Sequence, residues 1–138
     1  MKGIAVALMA VAAPAAAQVA PMSFDAGKAL PLAAGQWSYT ATATGGEARY
    51  GSHLVLQCDK ATRTITVTRP GSPIAALTVA TDTISRALPL SGRLSAYDPL
   101  LDAIAFSRGR VVISGGVGTA LAVPSWPEAA RAIEDCRN

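Results

Sequence analysis

One histidine and two cysteines in 138 residues leave little of what most active sites need. A metal centre requires several His, Cys or carboxylate ligands converging at short spacing. Here His53 stands alone, and Cys58 and Cys136 are far apart in the chain. No metal and no cofactor is therefore expected. No Gly-x-Ser-x-Gly occurs, and a lone strand histidine is a poor basis for a Ser/His/Asp triad. Lys and Arg form no concentrated stripe, so nucleic acid is not an expected partner. Gly115-Gly116-Val117-Gly118 lacks the following Lys-Ser/Thr and the immediate helix of a phosphate-cradling loop. It reads as a turn into a strand. No apolar run approaches the roughly 20 residues that cross a bilayer.

What is present begins with a leader. Met1-Lys2-Gly3 carries one positive charge. A ten-residue apolar run over 4–13 follows, then Pro14 and the small-residue site Ala15-Ala16-Ala17 before Gln18. Charge, apolar run and Ala-x-Ala site in that order read as a secretory signal peptide over residues 1–17. No cysteine follows the apolar run, which argues against a lipid anchor. Cleavage after Ala17 removes Lys2 and lowers the formal charge of +3 to +2. Export places the remainder where thiols oxidise, and an even cysteine count there points to a Cys58–Cys136 disulfide.

Residues 18–35 are punctuated by Pro21, Gly27, Pro31 and Gly35 and hold no period, which suits an irregular or strap-like segment. A single domain is expected over 36–138. Residues 36–44 alternate apolar and hydroxyl side chains as a half-buried strand does, and Gly45-Gly46 marks a turn. Residues 47–57 alternate again, with Ala48, Tyr50, Leu54 and Leu56 as the inner set and Cys58 at the strand's end. Residues 63–69 form a β-branched strand with Ile65 and Val67 on one face. Further strands are expected over 74–80, 82–90, 93–96, 110–114 and 119–123.

Two helices come late. Asp98-Pro99 reads as N-cap and first helical residue, with Leu100, Leu101, Ile104 and Ala105 as the apolar face and Gly109 as a left-handed terminator. Ser125 and Glu128 have the spacing of a capping box for the second helix. Its inner face is expected to be Ala129, Ala130 and Ile133 with Trp126, and Cys136 ends it. The pattern as a whole predicts an α+β, β-rich fold: a mainly antiparallel sheet of about six or seven strands, two short C-terminal helices and one disulfide.

Few residues point to chemistry. Asp98 and Asp102 stand four apart on a helix and could work as a carboxylate pair. Capping explains Asp98 better, and a nearby arginine could take Asp102. Arg108-Gly109-Arg110 is the most pointed cluster, able to grip a carboxylate, a phosphate or an acidic partner, unless acidic side chains of the same chain consume it. Trp37, Tyr39, Tyr50 and Trp126 could form an exposed aromatic patch or pack in the core.

Residues 98–110, then Leu121-Ala122-Val123-Pro124-Ser125-Trp126-Pro127-Glu128, then Arg131-Ala132-Ile133-Glu134-Asp135-Cys136-Arg137, resemble small exported proteins of alphaproteobacteria, sphingomonads in particular. That likeness spans residues 36–137 and carries no activity. In plan, the chain is also loosely similar to the invasion-associated locus B family and to type VI secretion-associated accessory proteins. In those groups a strand ends in one cysteine and the last helix carries the other. Leu54-Val55-Leu56-Gln57-Cys58 and Ile133-Glu134-Asp135-Cys136 fit that frame. The resemblance implies the Cys58–Cys136 bridge and no catalytic residue.

The expectation is a non-enzymatic periplasmic module that binds another envelope protein through Arg108, Arg110 and Trp126. Two alternatives stand beside it. One is a periplasmic inhibitor or small-ligand carrier, and the other is a hydrolase using Asp98 and Asp102.

Overall fold

In the computed structural model, residues 9–12, 21–72, 76–116 and 118–138 are described. The signal peptide expected over 1–17 lies mainly outside them, as does the start of the strand expected over 74–80.

Alternation of apolar and hydroxyl residues builds the first sheet. β1 (Trp37–Ala41), β2 (Gly46–Tyr50), β3 (Leu54–Asp59) and β4 (Thr64–Thr68) follow one another as antiparallel neighbours, and β7 (Arg93–Ser95) pairs outside β4. One face carries Trp37, Ala48, Tyr50, Leu54, Leu56, Ile65, Val67 and Leu94 into the core. The other presents Ser38, Thr40, Arg49, Gln57, Thr68 and Arg93 to solvent. This is the period-two division that a one-sided sheet demands.

The strand expected over 47–57 is two strands. Gly51, with φ +51°, turns the chain, and the amide of His53 closes the turn on Tyr50 O at 2.9 Å. The inner set survives because Tyr50 faces Leu54 and Ala48 faces Leu56 across the new hairpin.

A second sheet has the order β6-β5-β8-β9, from β5 (Thr78–Ala80), β6 (Ser85–Ala87), β8 (Val111–Ser114) and β9 (Leu121–Val123), all antiparallel. The class is α+β and β-rich as expected, with nine strands in two sheets among the described residues. The two sheets share one hydrophobic core. Val79, Val111, Ile113 and Val123 of the second sheet cluster with Leu56 and Ile65 of the first. Each such fully buried aliphatic contributes about 1.5–3 kcal/mol.

β8 is buried on both faces. Val111 and Ile113 enter the core, while Val112 and Ser114 meet the N-terminal segment. That segment is a strap containing one short helix, α1 (Phe24–Gly27), capped by Ser23. Ala80, Val112 and Ala122 form a cross-strand row of small side chains, all inaccessible to solvent. Gly27 lies so close above it that a Cβ there would sit 2.2 Å from Val112 Cγ2. Met22 N–H donates to Ser114 Oγ and Ala33 N–H to Ala122 O.

Helix α2 (Pro99–Phe106) begins as expected, with Asp98 Oδ1 accepting from Leu100 N–H at 2.8 Å. It buries Leu100, Leu101, Ala103 and Ile104. It ends at Ser107, whose backbone is extended, and not at Gly109, which turns the following loop with φ +77°.

Helix α3 (Pro127–Arg137) starts without the expected Ser125/Glu128 capping box. The residue before a proline is driven out of the helical region. Trp126 accordingly takes φ −117° and ψ 163° and becomes the N-cap. Ser125 Oγ and Glu128 Oε2 are left buried without hydrogen-bond partners. Ala129, Ala132, Ile133 and Cys136 are buried, so Ala132 stands where Ala130 was expected, and Trp126 is exposed instead of facing in. α3 crosses β1, β2 and β3 on their apolar side. The Cys58–Cys136 disulfide, with Cα atoms 5.5 Å apart, fixes its end to β3.

Candidate functional site

The two arginines of the Arg108-Gly109-Arg110 cluster have different fates. Arg108 lies in the loop between α2 and β8, its side chain 91% exposed and its Nε 3.6 Å from Asp82 Oδ2. At that exposure an ion pair holds the guanidinium only loosely. Arg110 is half-buried, and its Nη1 donates to Gly27 O at 3.0 Å and Leu30 O at 2.6 Å. It therefore clamps the strap onto the second sheet. Both arginines line one cleft of about 460 Å³, whose other walls are Phe24, Asp25, Lys28, Asp82 and Thr83. Lys28 is paired with Asp25 at 2.7 Å, which holds the Asp25 carboxyl below its ordinary pKa through a hydrogen bond and the ammonium charge.

Trp126 does not wall that cleft; it is the N-cap of α3, which packs on the first sheet. Trp126 is 49% exposed, and Phe106, two residues before Arg108, is 75% exposed. Phe106 was not legible as a surface residue from the sequence. Its only signal is that it falls two positions after Ile104, off the apolar stripe of α2.

The remaining aromatics are occupied. Trp37 is buried and its Nε1–H donates to Pro124 O at 2.7 Å. Tyr50 is buried and its hydroxyl donates to Ala33 O at 2.6 Å. The Tyr39 hydroxyl donates to Asp135 Oδ2, and the Arg131 guanidinium lies 4.0 Å from the Tyr39 ring centroid. The bond to Asp135, assisted by burial and by the carboxylate's charge, pushes the Tyr39 pKa up.

The carboxylate pair is divided between two arginines. Asp98 Oδ1 caps α2 and accepts from Arg86 Nη2 at 2.7 Å, whereas Asp102 Oδ1 accepts from Arg137 Nη1 at 2.8 Å. Each carboxylate has its own arginine from a different element. His53 places Nε2 3.1 Å from Ala34 O, and its ring packs 6.2 Å from Tyr50. The glycine turn after β8 carries φ values of +87°, +73° and +81° at Gly115, Gly116 and Gly118. Its carbonyls point at a cation. Arg69 donates to Gly115 O and Thr119 O, both at 2.8 Å, and burial pulls the pKa of that guanidinium down. Among the described residues no group of three or more His, Cys, Asp or Glu side chains is arranged to hold a metal ion.

Fold and surface together define a disulfide-stapled, β-rich α+β domain with Phe106, Arg108 and Trp126 exposed. Comparison with protein-family models, curated proteins and solved structures finds no match.

Proposed function

We propose that this chain is exported to the periplasm and acts there, without catalysis of its own, as an accessory module that binds another envelope protein. The observation that carries the reading is the exposure of Phe106, Arg108 and Trp126, aromatic and arginine side chains left open to solvent. Aromatic and Arg side chains dominate the binding energy of protein interfaces. Arg108 is the guanidinium of the cluster that stays open to an acidic partner, while Arg110 shapes the cleft beside it from below. The hydrolase alternative loses its motivation, because Asp98 and Asp102 serve separate structural ion pairs.

The test is affinity capture from a periplasmic extract, comparing wild type with Arg108→Ala and Trp126→Ala. A partner retained by wild type and lost by both variants is expected. A partner set unchanged by either substitution overturns the assignment of this surface. Intact mass of the exported protein tests the compartment, since residues 1–17 should be missing and both thiols oxidised.

A carrier role is the second reading. A cleft of about 440 Å³ lies between Pro21–Met22 and the turn at Gly115, Gly116 and Gly118, with Ala76, Thr78 and Ala120 in its walls. Retention of a small apolar molecule through purification would favour it.

A further inference from the structure

The first sheet ends in β1, and the outer edge of β1 is unlike every other edge in the fold. Its backbone directions follow from the hairpin bonds. Thr42 and Gly45 exchange amide bonds at 3.1 and 3.3 Å, and Gly51 N–H donates to Gln36 O at 3.2 Å. In an antiparallel pair the bonded positions alternate. Positions 36, 38, 40 and 42 therefore face β2, while Trp37, Tyr39 and Ala41 turn their N–H and C=O groups away from it. Among the described residues β1 has no second strand partner, and no backbone bond reaches these three residues from outside.

Edges normally carry protection against pairing, such as charge, proline or brevity. β6 and β7 are three residues long, and each carries an arginine, Arg86 or Arg93. β9 is also three residues long, and its outer side already receives Ala33 N–H at Ala122 O. β1 is five residues long, uncharged, free of proline, and alternates hydroxyls with aromatics as Trp37-Ser38-Tyr39-Thr40-Ala41.

The outward groups are also symmetric about Tyr39. A second β1, antiparallel and centred there, sets Tyr39 against Tyr39, Trp37 against Ala41 and Ala41 against Trp37. Three bonded positions with two bonds each satisfy all six outward groups of each copy, six bonds in total. The hydroxyls of Ser38 and Thr40 fall opposite one another on the solvent face. On the other face the two α3 helices meet across the axis. There each copy carries Arg131 over its Tyr39 and an exposed Glu134 on the same helix, so charges of both signs are available to the other copy.

We propose that β1 is a homodimerisation edge, at which two copies of this chain join their five-stranded sheets into one continuous sheet of ten strands. No residue of β1 belongs to the set Phe106, Arg108 and Trp126, although Trp37 donates to Pro124 O two residues before Trp126.

Sedimentation equilibrium on the oxidised protein recovered from an exporting host tests it. Wild type should run at twice the monomer mass and dissociate on dilution. Ala41→Pro removes an outward N–H and leaves the β1–β2 ladder intact, so its dissociation constant should rise at least about tenfold. Its circular dichroism and melting should be unchanged. Thr40→Lys gives an independent reading should the proline variant misfold, because it places a charge on the solvent side of the same edge. It too should shift the protein to monomer. Wild type that stays monomeric up to millimolar concentration overturns the proposal, including the case in which the edge takes an extended peptide of another protein. A dimer that survives the substitutions overturns it as well.

Discussion

Replacing Cys58 and Cys136 together by alanine should lower stability by about 4.5 kcal/mol. The disulfide closes a loop with a sequence separation of 78 residues. The chain-entropy relation for a loop of that length yields about 4.5 kcal/mol at room temperature. Both cysteines are fully buried, so the variant also forfeits the packing of two sulfurs and the loss should not fall below the entropic figure. Domains of this size are stable by roughly 5–15 kcal/mol in total, so the bridge holds a large share of the net. Urea unfolding of the oxidised protein and the double variant provides the measurement. The midpoint should fall steeply while the slope rises, because an uncrosslinked unfolded chain exposes more surface. A loss under about 1 kcal/mol with an unchanged slope would refute the reasoning, since the two sulfurs could not then be restraining the unfolded chain.

Gly27→Ala tests the seating of the strap. Helix propensity alone would stabilise by about 1 kcal/mol, but a Cβ at 2.2 Å from Val112 should reverse the sign and cost roughly 1–3 kcal/mol in denaturant unfolding. A stabilised variant would show that the strap does not lie on β8. Arg110→Ala should free the carbonyls of Gly27 and Leu30 and speed tryptic cleavage after Lys28, with a loss of about 1–3 kcal/mol; unchanged cleavage kinetics would contradict the clamp. Arg108→Ala, by contrast, should change stability by no more than about 0.5 kcal/mol in the same assay, because its one ion pair is long and solvent-exposed. For Tyr39 the folded pKa is raised, so its contribution is complete below the unfolded value of about 10 and is lost as pH climbs through the folded value. In ultraviolet titration a tyrosine should ionise above the ordinary value of about 10, and Tyr39→Phe should remove that phase.

Side-chain periodicity carried most of what the sequence could reveal. The inner residues Ala48, Tyr50, Leu54 and Leu56 were legible, yet the turn between them was not. A three-residue turn at 51–53 preserves the even-odd alternation, so a hairpin and one straight strand share the same pattern. Ser125 and Glu128 satisfied a helix-start rule at the level of spacing, and the geometry imposed by Pro127 on Trp126 overrode it. The three-residue strands β5, β6 and β9 are too short for any period to register, so their assembly into a second sheet depends on long-range pairing. At the surface, the Arg-Gly-Arg cluster was visible as a cluster. Whether each guanidinium is free or consumed depends on carbonyls some eighty residues away, which no local pattern encodes.

The strap has a temporal consequence. Residues 21–35 leave the ribosome early, but their seat is made of Val112, Ser114 and Ala122, and the bond from Met22 to Ser114 joins positions 92 apart. The disulfide likewise waits for Cys136, which follows Cys58 by 78 residues. Vectorial synthesis therefore delivers residues 21–35 long before β8 and β9 exist for them to lie on. The strap can seat only once β8 and β9 exist, and the bridge can close only once Cys136 has been made.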